Sequence, residues 1–156
     1  MLKQLEQLSK SAEGRYATAE ELEFLQNYLL TVDLRISAYQ KIRDAEDEII
    51  DRLEAKMRQK LPNIFQAGTA DVSTMYQRDT KRILRNAIAA MLIDDLDRLR
   101  EHILLWQRTI IKAFKVKHIA TMTHTTMPEI LQQFLTPEEF EAIEPVLQLN
   151  QAILAD

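Results

Sequence analysis

The sequence predicts an all-α protein, on three observations. Only two glycines and four prolines occur in 156 residues, too few for the tight turns on which hairpins and sandwiches depend. Apolar residues recur at three- and four-residue spacing along most of the chain, the period of a helix with one buried face. Two Thr-x-x-Glu capping boxes, Thr18-Ala-Glu-Glu21 and Thr136-Pro-Glu-Glu139, mark helix starts: the threonine hydroxyl meets the N3 amide and the glutamate reaches back to the cap amide.

From the N-terminus, Leu2, Leu5 and Leu8 form a short stripe that ends in the polar run Ser9 to Gly14, a brief helix followed by a turn. The helix opened by Thr18 carries Leu22, Phe24, Leu25, Tyr28 and Leu29 and fades near Thr31; Asp33 is placed to cap a new one. That helix shows one stripe, Ile36, Tyr39, Ile42, Ile49, Ile50, Leu53 and Met57. It stops at Lys60-Leu61-Pro62, because Pro62 pushes Leu61 out of the α region and has no N–H to donate. Pro62 to Asp71, with Gly68, has no period and reads as the longest loop.

Val72 to Ile93 is helical again, with Met75, Ile83, Leu84, Ala87, Ile88, Met91 and Leu92 facing inward. Asp94 and Asp95 are placed to cap a long helix whose stripe is Leu96, Leu99, Ile103, Leu104, Trp106, Ile110, Ile111 and Phe114; Met75, Met91, Trp106 and Phe114 are assigned to the core, with a cofactor wall as the lesser reading. His118 to Leu135 reads as helical with a restart at Thr125-Thr126-Met127-Pro128. The last helix begins at Thr136 with Pro137 in its first turn, and Pro145 predicts a kink or break. The count is seven or eight helices, and periodicity alone leaves bundle, globin and solenoid open.

Composition narrows the function classes. A chain of this length fits one domain with a full core. The 24 acidic and 20 basic residues leave a net charge of −4, against the basic surplus of a nucleic-acid binder, although Lys81, Arg82 and Arg85 cluster locally. There is no cysteine, so disulfides, thiolate metal sites and cysteine nucleophiles are excluded. No apolar run reaches the ~18 residues of a membrane span and the N-terminus lacks a secretory h-region, which reads as a cytoplasmic protein with no membrane insertion. Asp94, Asp95 and Asp97 lack the Gly and Glu positions of an EF-hand loop and read as helix-start charges. No nucleophile, metal site or phosphate loop is supplied, and the chain is read as non-enzymatic.

Three landmarks carry a family resemblance. Glu13-Gly-Arg-Tyr16-Ala-Thr-Ala-Glu-Glu-Leu22, the Ala45-Glu-Asp-Glu-Ile-Ile50 run closed by Lys60-Leu-Pro62, and Thr74-Met-Tyr-Gln-Arg-Asp79 followed by Ile83-Leu-Arg85 occur in an order and spacing similar to those of the phycobiliproteins. The likeness covers about residues 10 to 95 and weakens beyond. The resemblance implies a globin-like body (17–156) preceded by an N-terminal helical extension (1–16) that pairs subunits. In the family a cysteine two residues before the arginine attaches the bilin by a thioether; that position is Tyr76. The matched Arg78 would contact a bilin propionate, a charge-assisted pairing, and the matched Asp79 would face the pyrrole nitrogens. The family's subunit-pairing aspartate falls at Ser11, whereas Arg85 matches its partner arginine and Glu13 lies nearby. A cysteine-free member resembles the colourless bilin-biosynthesis-associated globins, implying an accessory role in bilin synthesis or handling.

For each candidate the residues leave two readings open. Arg78 and Asp79 point about 100° apart on a helix and are either a solvated or intersubunit ion pair or retained ligand contacts. Tyr76 either fills the space of a bilin ring or is an ordinary amphipathic-helix residue. His102 and His118 are the candidates for an axial haem ligand, the basis of a second reading as a haem-binding sensor globin; surface or capping roles compete. The Leu2, Leu5, Leu8 stripe cannot bury its face alone and packs either on its own domain or on another subunit; the family resemblance favours the subunit, with Glu13 and Arg85 completing the interface of a homodimer. A third reading is a structural dimeric interaction protein with no tetrapyrrole. Bilin-biosynthesis enzymes are the further partners the resemblance implies, with no covalent cofactor and a bilin held, if at all, non-covalently.

Overall fold

A computed structural model describes residues 1–67 and 69–155; Gly68, placed in the longest loop, lies outside the described residues. Helix α1 (Leu2–Ser11) turns through Gly14, whose φ of +79° suits a residue without a Cβ, into α2 (Ala19–Asp44). The capping box at Thr18 forms as the sequence predicts, with Glu21 N–H donating to the Thr18 hydroxyl and Thr18 N–H donating to the Glu21 carboxylate.

Helix α2 does not end near Thr31, and Asp33 caps nothing; it continues unbroken to Asp44. The chain breaks instead at Ala45, after which α3 runs Glu46–Lys60. No Gly or Pro marks that break, which is why a single stripe was expected through it. Glu46, Asp47 and Glu48 in the first turn of α3 face its positive dipole end. Pro62 closes α3 as expected, and the loop beyond it holds a two-residue antiparallel ladder, β1 (Gln66–Ala67) with β2 (Ala70–Asp71).

Helix α4 (Ser73–Ile93) ends at Asp94 in the left-handed region. Asp95 then caps α5 (Leu96–Leu99) by accepting from Arg98 N–H. A π-helical turn, Arg100–Leu104, joins α5 to α6 (Leu105–Ala113), a local widening of the helix that rotates the side chains following it. Helix α7 (Lys117–Leu131) passes through Pro128 with no restart, and α8 (Pro137–Leu154) passes through Pro145 with no break. The rung lost at each proline is outweighed by burial on both sides, with Met127, Ile130, Ile143 and Val146 all enclosed.

The core is one contiguous cluster from Ala38 to Leu154. Helix α8 lies across α2, α4 and α7, while α3 packs on α7 and α4. Of the residues expected inside, Met91 is 1% exposed, but Met75, Trp106 and Phe114 are 43%, 56% and 69% exposed. They sit on the flank of α4 and α6 that no other element covers. Helical period groups them with Leu84, Leu99, Leu104 and Ile111, which are buried, but they stand at the edge of those stripes, at the surface. No residue before Ala38 is buried. The N-terminal hairpin is pinned by polar contacts instead: Tyr28 donates to the Leu92 carbonyl at 2.8 Å, Arg35 reaches the Met91 carbonyl and Asp94, and Lys3 pairs with Asp97.

Candidate functional site

The site begins with Tyr76, on the second turn of α4. Met75 and Arg78 point outward there, while Tyr76 turns in between α3 and α7 and is 8% exposed. Its hydroxyl donates to Met57 Sδ at 3.1 Å and accepts from Thr123 at 3.3 Å, and its ring lies 4.6 Å from that of Phe65. Burial, more than its hydrogen bonds relieve, pushes the phenol up to about 12, so it stays neutral. A tyrosine bonded at its tip and stacked along its ring is part of the core.

What remains beside it is a cavity of about 80 Å³ between α4, α6 and α7, bounded by Tyr76, Thr80, Ile111, Ala120, Thr123 and His124. A dry cavity of about 150 Å³ is what a single benzene occupies. A four-ring tetrapyrrole therefore does not fit within the cavity beside Tyr76 alone.

Outside Tyr76 the cavity adjoins a larger groove of about 280 Å³ walled by Met75, Trp106, Ile110 and Phe114, with Arg78, Asp79 and Arg82 along its α4 rim. Arg78 Nε donates to Asp79 Oδ1 at 3.1 Å, and the pair is 75% and 40% exposed. The two side chains thus meet at the mouth, in water, where an ion pair contributes little. Arg82 lies 5.9 Å over the Trp106 ring and holds no carboxylate among the described residues. Chemically the groove is an apolar strip with cations on one edge, open to solvent.

The remaining candidates fall elsewhere. Within the chain Arg85 grips Glu46 of α3 with two hydrogen bonds, at 2.7 and 2.5 Å. Glu13 is exposed in the turn after α1. Leu2 is 45% exposed, with Leu5 and Leu8 half-buried. His102 is exposed beside Tyr39 and Arg98, and His118 is exposed beside Lys60 and Thr125. The histidine that reaches the cavity is His124, 6% exposed, with burial lowering it from 6.5 to about 4, so its imidazole is neutral. It shares the α7 face that carries Ile119, Ala120, Thr123 and Met127, all buried.

Among the described residues no group of His, Cys, Asp and Glu is arranged to hold a metal, and no helix is long and apolar enough to cross a membrane. Asp94, Asp95 and Asp97 serve as an ion pair to Arg35, a cap for α5 and an ion pair to Lys3. In comparison with known proteins, residues 8–153 match the family model described as phycobilisome protein. No curated protein gives a significant match.

Proposed function

Because the chain belongs to the phycobilisome protein family, we propose that it is a colourless, non-enzymatic homologue of the phycobiliproteins that acts in the cytoplasm as an accessory to bilin synthesis or handling. The observation that carries this reading is Tyr76. By the family resemblance it takes the place of the attachment cysteine, and its buried ring against Phe65 and Met57 supports a chain that carries no permanent pigment. Contact with a bilin is then reversible and confined to the open groove, where Met75, Trp106 and Phe114 offer an apolar strip to the rings and Arg78 and Arg82 offer cations to propionates.

A chain with no cysteine cannot form the thioether, so the test is equilibrium binding. Trp106 is the only tryptophan and walls the groove, so titration with biliverdin or phycocyanobilin is expected to quench its fluorescence and sharpen the long-wavelength bilin band. Arg82→Glu is expected to weaken this by about tenfold, the loss of one charge-assisted contact. Unchanged free-bilin spectra and unquenched Trp106 would overturn the ligand half of the reading.

A second element of the proposal is a homodimer through the N-terminal hairpin. Tyr16, Leu29 and Leu30 are 97%, 59% and 84% exposed, an apolar face on which a second copy fits. An enzyme of bilin synthesis is the other partner we propose. The exposure of His102 and His118 and the size of the cavity beside His124 give no support to a haem-binding globin.

A further inference from the structure

The lysines and arginines are unevenly matched. Over most of the surface each holds a carboxylate, as Lys81 holds Asp47 at 2.6 Å and Arg58 holds Glu54 at 2.8 Å. Arg98, Arg100, Arg108, Lys112 and Lys115 are exposed and hold none among the described residues. Between positions 98 and 115 the one acidic residue is Glu101, and Lys3 lies 3.6 Å from it. Five cations against one carboxylate thus crowd a run of α5, the π-turn and α6 about 27 Å long, in a chain whose net charge is −4. The same run bares Leu105, Trp106 and Phe114, at 44%, 56% and 69%. At Lys115 the backbone takes φ +57°, ending α6 just past Phe114.

We propose that this run is a docking face for an anionic lipid surface, resting on the headgroups without spanning the bilayer. The ratio of charge to apolar area selects that occupant. A protein interface accepts arginine but is depleted of lysine, and five cations in one short run would each have to be stripped of water and matched there. The headgroup layer keeps cations hydrated while supplying phosphates, and aromatic side chains settle at its boundary with the acyl chains. The cations named do not line the cavity or the outer groove, so the inference is independent of bilin binding. Trp106 and Phe114 are shared, so docking would cover the mouth of the groove.

The experiment floats the whole protein with vesicles of pure phosphatidylcholine or with about one-third phosphatidylglycerol, in about 0.05 M and about 0.5 M salt, and follows Trp106 emission. The expected result is binding to the anionic vesicles with a blue shift, at least about tenfold weaker on neutral vesicles or in high salt. Arg108→Glu with Lys112→Glu is expected to abolish it, whereas Lys10→Glu with Arg43→Glu, equal in charge change and far along the chain, leaves it intact. Any of three results overturns the proposal: no binding at low salt, equal loss in both double variants, or binding without a blue shift that a glutamate-rich peptide competes away. The last would identify an acidic protein partner instead.

Discussion

Two helix starts with the same chemistry lead into two different kinds of structure. At Thr18 the box glutamate, Glu21, turns back to Arg15 at 2.6 Å, which, with the Thr18 amide, holds its carboxyl down to about 2. The helix that follows has no buried residue until Ala38. At Thr136 the box glutamate, Glu139, is enclosed. Burial alone would push its carboxyl up, but Lys41 at 2.7 Å, the Thr136 amide and the Ser37 hydroxyl outweigh that and hold it below its usual range. Glu139 therefore ties α8 to α2 across the body, while Glu21 ties only a local turn. The lesson is that the hairpin is held by polar pins with no leucine fully enclosed, whereas the body is held by its core.

That contrast can be broken by measurement, beginning with the largest effect. Leu53 is fully enclosed, so Leu53→Ala is expected to cost about 3 kcal/mol or more in urea unfolding, while Leu29→Ala costs less than about 0.5 kcal/mol; equal losses would mean that the hairpin shares the core. Next is acid. His124 titrates near 6.5 when unfolded and about 4 when folded, so the unfolded chain takes up a proton that the folded one refuses. Its contribution is complete above pH 6.5 and falls away as pH drops toward 4, by about 3 kcal/mol. His124→Leu should flatten the urea midpoint over that window, and a midpoint that still falls as steeply would place the acid sensitivity elsewhere.

Glu139→Gln is expected to cost about 2 kcal/mol, below the range for a fully buried pair because Lys41 is 43% exposed. Glu21→Gln should leave the global transition where it is. Thr136→Ala should lower stability by about 1 kcal/mol, and Thr18→Ala by only a few tenths, since local fraying of the hairpin opens little of the core. Smallest in stability and sharpest in meaning is the pair Leu29→Glu with Leu30→Glu: the urea midpoint is expected to stay put, and the dimer proposed for the native chain is expected to give way to a monomer in light scattering. A native chain that scatters as a monomer would remove the hairpin interface.

Much of the fold was legible. Both capping boxes form, Pro62 ends α3, and Asp95 caps α5, because these signals act within one turn of the chain. The break at Ala45 was not legible, having no Gly or Pro to announce it, and neither was the continuity of α7 through Pro128, where enclosure of Met127 and Ile130 outweighs one lost rung. Of the site, the sequence offers Tyr76 either as a filler of ligand space or as an ordinary amphipathic-helix residue, and only packing shows that its ring is buried against Phe65. That Arg78 and Asp79 bond to each other, and that Arg85 belongs to Glu46, depends on which side chains neighbouring turns and helices present.

The sequence by itself determined an all-helical chain with defined helix starts and, lacking any sulfhydryl, one that cannot form a thioether; each is a property of local backbone chemistry or of an atom that is absent. Only the tertiary structure decided that Tyr76 fills the cleft while Trp106 and Phe114 stand outside it. The physical reason is that helical period determines which residues share a face, and only packing against α3, α7 and α8 decides which faces are covered.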